Sequence, residues 1–325
     1  MKTVAYFILF LFLIIIILPA VLVKSCDIIS LPEEETGEGD IVVKVYDHMQ
    51  KRIIKMELEE YIKGVVAAEM PAAFEKEALK AQAVAARTYT VGRLTSMGGA
   101  GCSSHPEADI CTDPTHCQAW YPKNVLLKRW GLIGYYRYWK KISAAVEETK
   151  GLIITYKGKI IDPVFHSTSG GKTENSEDVW QNRVPYLRSV VSKYETHSPK
   201  FTETVSIPIQ DFIKKLKEEY PDIELTKEAF KDAINVVEWS EGGRIKYIRL
   251  GNKVVKGTDV RRIFGLNSTN FRWKIDRESI DITTIGYGHG VGMSQYGADG
   301  MAKNGSNFAE ILKHYYTGVD IDKLP

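Results

Sequence analysis

The feature that most limits how this chain can fold is an apolar run of 20 residues, Val4–Val23, which contains no charged residue. An α-helix rises about 1.5 Å per residue, so a helix of this length matches the hydrocarbon layer of a bilayer, about 30 Å thick. A cleavable signal peptide usually has a shorter apolar core and a small-residue cleavage site. No clear site of that kind is present, and Lys24 stands where a lipoprotein signal at Cys26 would need a small or apolar residue. We therefore expect residues 1–24 to form a cytoplasmic tip and one uncleaved transmembrane helix.

The charges that flank this run predict its orientation in the membrane. Lys2 precedes it, and five acidic residues follow it closely, namely Glu33, Glu34, Glu35, Glu38 and Asp40. Positively charged flanks stay in the cytoplasm, although Lys24 on the far side weakens the asymmetry. We expect the N-terminus inside the cell and the bulk of the chain outside the cytoplasm. Residues 25–40 are predicted to be a short solvated linker, because they are acidic and poor in apolar residues.

The composition excludes several classes of protein. The 325 residues include 43 Lys+Arg and 41 Asp+Glu, which gives a formal charge of 43 − 41 = +2. A nucleic-acid-binding domain usually carries a clear basic excess, so the charge gives no support for a nucleic-acid partner. Hydrophobic residues make up 44% and charged residues 26%, the balance of a folded globular protein. Disordered and collagen-like chains are excluded on the same grounds.

The order of the predicted elements after residue 40 indicates an α+β fold. Strand and helix patterns do not alternate as a parallel sheet requires, so we expect helices and a mostly antiparallel sheet around a cleft. The predicted helices are Lys55–Met70, Glu75–Thr95, Trp139–Thr149, Ile209–Tyr220 and Asn307–Tyr315. The pattern changes at residues 204–264, which we predict to be a smaller α+β lobe. The main domain would then comprise residues 41–203 and 265–325.

The first segment that could carry chemistry is VVAAEMPAAF, in which Glu69 precedes Pro71 at the end of a predicted helix. A carboxyl group among apolar neighbours is desolvated, which raises its pKa and keeps it protonated nearer neutral pH. The partial negative charge of the helix C-terminus adds to that rise. A general acid that protonates a glycosidic oxygen needs this property. From the residue alone, a glutamate that caps the helix or forms a salt bridge is the simpler interpretation.

Two basic residues on the next predicted helix, Lys80 and Arg87, are seven positions apart and so near one face. They are candidates for holding a polar or anionic group of a substrate beside Glu69. They are equally consistent with the solvated side of an amphipathic helix, and their spacing does not decide between the two.

Two glycine-containing segments also carry directional hydrogen-bonding groups, FHSTSGGKTEN (165–175) and GYGHGVGMSQYGA (286–298). Glycine lets a ligand approach the backbone closely, and hydroxyl and amide groups supply directional hydrogen bonds, a mixture that suits sugar recognition. The polar candidates are Ser167, Thr168, Ser169, His289, Ser294, Gln295 and Tyr296. The alternative is a pair of tight turns. Neither segment has the lysine and hydroxyl ending of a phosphate-binding P-loop.

A cysteine- and histidine-rich segment, GCSSHPEADICTDPTHCQAW, lies in a predicted irregular loop at residues 98–122. His105, Cys111, His116 and Cys117 fall within 13 residues and supply the usual ligands of a closed structural zinc site, although their spacing is not that of a standard zinc finger. A disulfide is the alternative outside the cytoplasm. We favour zinc, because a disulfide would leave the two histidines unexplained, and Cys26 and Cys102 have no assigned role.

Taken together, these residues resemble the stage II sporulation protein D family, membrane-anchored enzymes that cleave peptidoglycan in endospore-forming bacteria. The resemblance is carried by YIKGVVAAEMPAAFEKEALKAQAVAARTY, FHSTSGGKTEN and GHGVGMSQYGA and extends over residues 41–325. It implies a lytic transglycosylase that cuts the MurNAc-GlcNAc linkage of glycan strands stripped of their stem peptides, and leaves a 1,6-anhydro product, during engulfment. The alternative is a non-catalytic glycan-binding protein that recruits or stimulates a cell-wall amidase.

The resemblance also implies roles for individual residues. Glu69 takes the place of the family's essential acid, and Lys80 and Arg87 match basic positions of its cleft. Ser167, Ser169, Gly170, Gly171 and the 288–296 loop match segments that line the cleft. His105, Cys111, His116 and Cys117 match a structural zinc site that only some members carry. The implied partners are peptidoglycan glycan strands and stage II sporulation proteins P (an amidase) and M (a membrane protein). The implied location of the catalytic domain is toward the forespore intermembrane space.

Overall fold

The computed structural model describes residues 41–324 and, before them, Phe12 alone. Among these described residues, no helix combines the length and apolarity that crossing a bilayer requires. Apart from Phe12, the predicted anchor Val4–Val23 and the predicted linker 25–40 lie outside the described residues.

The described part of the chain mixes helices with short strands, without a regular strand–helix repeat. The helices are α1 (Leu58–Glu69), α2 (Lys76–Val91), α3 (Lys123–Glu147), α4 (Ser176–Val179), α5 (Ile209–Glu219), α6 (Gly257–Phe264), α7 (Gln295–Lys303) and α8 (Phe308–Tyr315). The strands are β1 (Val42–Asp47), β2 (Arg52–Glu57), β3 (Ile110–Cys111), β4 (Leu152–Tyr156), β5 (Lys159–Ile160), β6 (Phe165–His166), β7 (Thr202–Pro208), β8 (Ile234–Trp239), β9 (Ile245–Leu250), β10 (Lys253–Lys256), β11 (Phe271–Ile275), β12 (Ser279–Ile285), β13 (Met293–Ser294) and β14 (Asp320–Lys323).

The strand pairing is mostly antiparallel. Two parallel pairings occur within the described residues, β1 with β3 and β6 with β13. Every other pairing there is antiparallel, in the orders β2-β1, β10-β9-β8, β11-β12-β7 and β14-β4-β5. The predicted α+β class with a mostly antiparallel sheet is confirmed.

Helix α2 lies at the centre of the larger hydrophobic core. It is buried on almost every side, and it contacts α1, α3, α7, α8 and β4. Its five alanines, at 78, 81, 83, 85 and 86, let these neighbours approach the helix axis closely. The polar residues of α2 therefore need partners within the protein wherever they face these neighbours.

A second, smaller core joins the segments between β7 and β12. Phe212, Leu216, Ile248 and Phe264 are buried in it. This core extends past residue 264 to Phe271, Ile280 and Ile282, because β12 pairs with β7 along its whole length. The smaller lobe at 204–264 stays a prediction, and this second core also includes residues of β11 and β12.

Two helix boundaries differ from those predicted. The predicted helix Lys55–Met70 begins only at Leu58, because residues up to Glu57 pair with β1 as strand β2. The predicted helix Trp139–Thr149 begins at Lys123, after Pro122. Gly131 within it has the non-helical angles φ 66° and ψ 172°, so α3 is two helical segments joined at this glycine. Gly131 and Gly134 are unfavourable in a helix, so the sequence does not predict the first helical segment of α3.

Candidate functional site

Glu69 is the last residue of α1, and Pro71 explains why the helix ends there. A proline removes a backbone donor and disfavours helical angles at the residue before it, and Met70 is extended at φ −116° and ψ 145°. The apolar side of α1 is buried through Ile62, Val65 and Val66, which carries Glu69 against the body of the protein. The carboxyl group is therefore held at the edge of the core rather than in bulk solvent.

The Glu69 carboxyl has two hydrogen-bond donors from distant parts of the chain. Its Oε1 accepts a hydrogen bond of 2.7 Å from the backbone N–H of Ala119. The side chain of Gln295, at the start of α7, also hydrogen-bonds to it. Burial raises the pKa of Glu69 from its ordinary value of 4.5 to about 6, and these two hydrogen bonds act against the rise. A group of this pKa is present in both protonation states between pH 5 and 7, as an acid–base catalyst requires.

Gln82 on α2 links this site to the second glycine-containing segment. Its side-chain Oε1 lies 3.4 Å from Nε2 of Gln295, which it accepts as a donor. The Nε2 group of Gln82 is buried and has no hydrogen-bond partner among the described residues. Neither Gln82 nor Ala119 belongs to a sequence motif with a chemical signature, so no local pattern predicts their place beside Glu69.

The structure does not place Arg87 in a cleft, contrary to the prediction. Its side chain is 0% exposed and makes a bidentate ion pair with Glu59, at 2.8 Å from Nε and 2.6 Å from Nη2. It also donates to the carbonyl oxygens of Val146 and Leu152. Arg87 therefore joins α1, α2, α3 and β4 inside the core. Arg87 was predicted to face solvent or substrate. It lies in the core because α2 is buried on nearly all sides.

Lys80 is also held by other side chains of the protein. Its Nζ lies 2.7 Å from Glu77 and 2.8 Å from Glu148, and these carboxylates raise the pKa of Lys80. No hydrogen bond or ion pair joins Lys80 to Glu69 among the described residues. The role of Lys80 in holding a substrate group beside the acid stays a prediction.

Glu195 connects the two glycine-containing segments. Its side chain is 0% exposed and accepts hydrogen bonds from the backbone N–H groups of Ser169 (2.9 Å) and Gly171 (2.7 Å). The hydroxyl of Ser169 and that of Ser294 (2.6 Å) also donate to it. Four donors from two segments thus converge on one carboxylate. Glu195 lies in an irregular stretch with no motif, so no local signal in the sequence pointed to it.

Arg244 connects the same two segments from the smaller lobe. It donates to the carbonyl oxygens of Ser169 (2.7 Å) and Gly288 (3.1 Å) and lies 3.9 Å from the carboxylate of Glu174. Burial lowers the pKa of Arg244 to about 10 and raises the pKa of Glu174 to about 7. Gly290 makes room for this arginine, because a Cβ atom there would lie 2.5 Å from the guanidinium carbon, and its φ of +86° favours glycine.

The remaining predicted binding residues lie around these connections. Ser167 accepts hydrogen bonds through its carbonyl oxygen from Tyr296 N (3.0 Å) and Ser294 Oγ (3.3 Å). The ring of Tyr296 packs against Phe74, which follows Glu69 by five residues. Gly170 has a φ of +84°, and a Cβ there would touch Ile285 at 3.0 Å. Ser294 also caps α7 by accepting from Gly297 N.

His289 is held by the backbone at both ring nitrogens. Its Nε2 lies 2.9 Å from the carbonyl oxygen of Phe165, and Val291 N–H donates to its Nδ1 at 3.1 Å. Burial lowers the pKa of His289 to about 4, so the ring is neutral at physiological pH with its proton on Nε2. This assignment follows because Nδ1 accepts and Phe165 can only accept.

The structure brings together Cys102, Cys111, His116 and Cys117, whose ligand atoms all lie within 4.8 Å of one another. Nδ1 of His116 is 3.6, 3.4 and 3.2 Å from the sulfur atoms of Cys102, Cys111 and Cys117. Ser103 Oγ lies 2.9 Å from Nε2 of His116 and fixes the ring with Nδ1 toward the thiols. All three cysteines are free thiols. Three sulfurs and one imidazole in this arrangement fit a tetrahedral zinc site.

His105 is not part of this cluster, and Cys102 takes its place. The ring of His105 stacks on Tyr46 with ring centroids 3.5 Å apart, and Nδ1 lies 4.0 Å from Glu107. His105 N–H donates to the carbonyl oxygen of Cys102 in a tight turn, and its ring lies outside the cluster. The predicted ligand set is corrected accordingly, and the previously unassigned Cys102 is explained.

A cavity of about 760 Å³ borders the same cluster. Tyr89, Arg93, Asp162 and Tyr186 line it together with Cys102, His116 and Cys117. Glu69 does not line it.

The chain is similar in sequence to several known proteins. A family model described as Stage II sporulation protein matches residues 46–156. The stage II sporulation protein D of Bacillus amyloliquefaciens is 41% identical over 293 residues, which cover 90% of this chain and 81% of that protein. The protein of the same name from Bacillus subtilis (strain 168) is 38% identical, with 89% and 81% covered. A B. subtilis protein named amidase enhancer is 29% identical over 80% of this chain and 40% of its own length.

Proposed function

Since the chain belongs to the stage II sporulation protein D family, we propose that it is a lytic transglycosylase of the sporulating cell wall. The substrate is peptidoglycan glycan strands from which the stem peptides have been removed. The enzyme cuts the MurNAc-GlcNAc linkage and leaves a 1,6-anhydro sugar, and Glu69 is its acid–base catalyst. The observation that carries the proposal is the half-buried Glu69 carboxyl, whose pKa is raised to about 6 at the end of α1.

The surroundings of Glu69 support a reaction that uses one carboxyl group twice. In the first half, protonated Glu69 donates its proton to the bridging glycosidic oxygen as the C1–O bond breaks. In the second half, the Glu69 carboxylate accepts the proton of the muramic 6-hydroxyl as that oxygen forms a bond to C1. No water is consumed, and Glu69 ends protonated as it began. Positioned acid–base catalysis of this kind contributes roughly 10²–10⁴-fold.

The two hydrogen bonds to Glu69 have separate consequences for this cycle. The N–H of Ala119 and the side chain of Gln295 both stabilise the carboxylate, which is the form that acts in the second half. Burial stabilises the neutral acid, which acts in the first half. A pKa of about 6 is the balance of these opposing effects.

A hydrolase of the common type needs a second carboxyl group to activate water or act as nucleophile, roughly 5–9.5 Å from the first. Three other buried carboxylates of the surrounding segments have partners of their own. Glu174 is bound by Ser240, and Glu195 is bound by the glycine-containing segments. Asp299 on α7 is 0% exposed, accepts from Glu75 N–H and pairs with His197 and Lys303. None of the three has a hydrogen bond or ion pair with Glu69 among the described residues. A single catalytic acid supports transglycosylation over hydrolysis.

We also propose that Cys102, Cys111, His116 and Cys117 hold a structural zinc ion. Zinc bound by four protein ligands has no open position for a substrate and contributes its binding free energy to folding. The site would fix the position of residues 98–119. The last of these, Ala119, donates its backbone N–H to the Glu69 carboxyl group. Zinc would thereby position Ala119, with no part in the chemical step.

The decisive experiment is digestion of peptide-free glycan strands by purified protein. The fragment 41–325 suits this purpose because both hydrophobic cores consist of residues within it. Wild type is expected to release anhydromuramyl ends detectable by mass spectrometry, and Glu69→Gln is expected to release at least about a hundredfold less. Glu75→Gln is the matched control, since Glu75 is a nearby exposed carboxylate. Equal release of anhydromuramyl ends by the Glu69→Gln and Glu75→Gln variants would overturn the catalytic proposal. Failure of the wild-type protein to release them would overturn it as well.

A second function is favoured by one observation, the similarity to a protein named amidase enhancer. In this alternative the chain binds glycan strands without cutting them and recruits or stimulates a cell-wall amidase. Stage II sporulation proteins P and M would be the partners in either case, with the folded part held outside the cytoplasm by an anchor in residues 1–24. Amidase stimulation that Glu69→Gln leaves unchanged, with no anhydromuramyl product, would support this function.

A further inference from the structure

The first half of α3 presents large apolar side chains to solvent. Leu132 is 76% exposed, Ile133 is 87% exposed and Tyr136 is 77% exposed, and Leu127 on the preceding turn is 39% exposed. These residues surround Gly131, where α3 changes direction. We call residues 127–140 the α3 tip. Scattered single apolar residues on a surface are ordinary, but a contiguous group of this kind marks an interaction site.

Packing on the core side of the α3 tip holds the tip in place and leaves its apolar corner exposed. Its base is held to the core by Leu126 and Ile142, which are fully buried. Trp130 and Tyr138 pack edge to face with ring centroids 5.4 Å apart, and the rings of Tyr135 and Trp139 stack at 5.8 Å. These four aromatic residues are partly buried and pack against the larger hydrophobic core, whereas Leu132 and Ile133 do not. The apolar corner is therefore a preformed feature of the surface.

All the charged side chains of the α3 tip and the residues beside it in the sequence are basic. Residues 123–141 contain six Lys or Arg and no Asp or Glu, in a chain whose net charge is only +2. Two of the six have partners within the protein, since Lys123 pairs with Glu60 and Lys141 donates to the carbonyl oxygen of Phe74. The other four are Lys128, Arg129, Arg137 and Lys140. No ion pair joins any of these four to another described residue, so their charge is available to a partner.

We propose that the α3 tip is a membrane-docking site that inserts Leu132 and Ile133 into the surface of an anionic phospholipid bilayer. Apolar side chains at the corner would enter the headgroup region, and Trp and Tyr rings would lie at its level, as they do in membrane proteins. The four free cations would face lipid phosphates, which attract basic side chains near the bilayer surface. Peptidoglycan offers anionic groups but no apolar phase for Leu132 and Ile133, so charge and apolarity together favour the bilayer.

The inference is independent of the proposed enzymatic function and of the anchor predicted in residues 1–24. A domain tethered by one end and docked through the α3 tip would be held at two points. Its orientation over the membrane would then be fixed, which a flexible linker alone does not achieve.

Vesicle flotation of the fragment 41–325, which lacks the predicted anchor, tests the proposal. We expect the fragment to float with vesicles of phosphatidylglycerol and phosphatidylcholine in equal parts, and to remain behind with phosphatidylcholine alone. Leu132→Ser with Ile133→Ser is expected to weaken binding by about tenfold or more, because it removes the apolar groups that insert. Replacement of Lys128, Arg129, Arg137 and Lys140 by Gln is expected to weaken binding by at least about a hundredfold, at roughly fivefold per charge.

The matched control removes four exposed lysines from the smaller lobe, Lys214, Lys215, Lys217 and Lys231, by the same change to Gln. This control also lowers the net charge by four. A difference between the two quadruple variants would therefore show that binding depends on where the charges lie and not only on the net charge. Circular dichroism melting of each variant shows whether it is folded, and all the changed side chains are solvent-exposed.

Three results would overturn the proposal. The first is no flotation of wild type with phosphatidylglycerol vesicles. The second is equal loss of flotation in the α3-tip and control quadruple variants, which would indicate non-specific attraction. The third is concentration-dependent dimerisation that Leu132→Ser with Ile133→Ser abolishes while vesicle binding is unchanged, which would make the α3 tip a contact between copies of this chain.

Discussion

Oε2 of Glu195 accepts a hydrogen bond of 2.6 Å from the hydroxyl of Ser294, and neither residue is exposed to solvent. Ser294 immediately precedes Gln295, whose side chain hydrogen-bonds to Glu69. The same carboxylate of Glu195 accepts from Ser169 and Gly171 on the other glycine-containing segment. A buried acid with no described contact to Glu69 thus sets the position of a residue that touches it.

Glu195→Gln should therefore lower the free energy of unfolding. An amide in place of the carboxylate loses one acceptor and turns a donor toward groups that are themselves donors, at a cost of about 2–4 kcal/mol. Urea unfolding of the fragment 41–325 at pH 7 measures this difference. Glu218→Gln, at an exposed position of α5, should change the same quantity by less than about 0.5 kcal/mol. If the two variants unfold at the same urea concentration, Glu195 does not hold the two segments together.

Arg87→Met should lower the free energy of unfolding. It leaves the Glu59 carboxylate buried without its counter-ion, which costs about 3–5 kcal/mol. The double variant Glu59→Gln with Arg87→Met should recover part of the loss, because no uncompensated charge remains. Arg277→Met, at an exposed position, is the control. An Arg87→Met protein of unchanged melting temperature but weakened glycan binding would instead return Arg87 to the substrate-binding role that the family resemblance implied.

The zinc ligands can be distinguished by replacing Cys102 and His105 separately. We expect Cys102→Ser to reduce bound zinc from about one per chain to near zero and to lower the melting temperature, because binding of a structural metal contributes to folding. His105→Ala should keep its zinc, since its ring stacks on Tyr46 outside the cluster. Metal analysis by mass spectrometry after gel filtration gives both values. Zinc lost from His105→Ala and retained by Cys102→Ser would reverse the assignment.

The raised pKa of Glu69 predicts a pH dependence with a definite sign. Below pH 4.5 its carboxyl is protonated in both folded and unfolded chains, so it does not oppose folding. As the pH rises through about 6, the unfolded chain has already released this proton, and the folded state loses up to about 2 kcal/mol relative to it. Glu69→Gln should therefore become more stable relative to wild type by about this amount between pH 4.5 and 7.

The same titration should appear in catalysis. If Glu69 must be protonated to start the reaction, kcat/KM on peptide-free strands should fall above a pH of about 6. Glu75→Gln should reproduce the wild-type dependence of both stability and rate. A stability difference between wild type and Glu69→Gln that stays constant with pH would show that this carboxyl is not desolvated.

Several features followed from local sequence alone. The α+β class, a helix that stops before Pro71 and the family membership were all predicted, and the structure and the comparisons confirm them. The apolar neighbours of Glu69 stand within a few residues of it, so their burial brings its carboxyl group with them. Burial of this kind can be predicted from a sequence, because helix periodicity determines which nearby residues share a face.

Only the tertiary structure decided which polar residues meet. Arg87 and Lys80 share one helix with the same spacing that the sequence displays, yet one pairs with Glu59 in the core and the other with Glu77 and Glu148 at its edge. Cys102 belongs to the thiol cluster, and His105 stacks on Tyr46 outside it. Glu195 and Ser294 lie 99 positions apart. Hydrogen bonds and ion pairs form wherever packing places donors beside acceptors, so the sequence determined the acid and its apolar surroundings, while packing across the whole domain determined its partners.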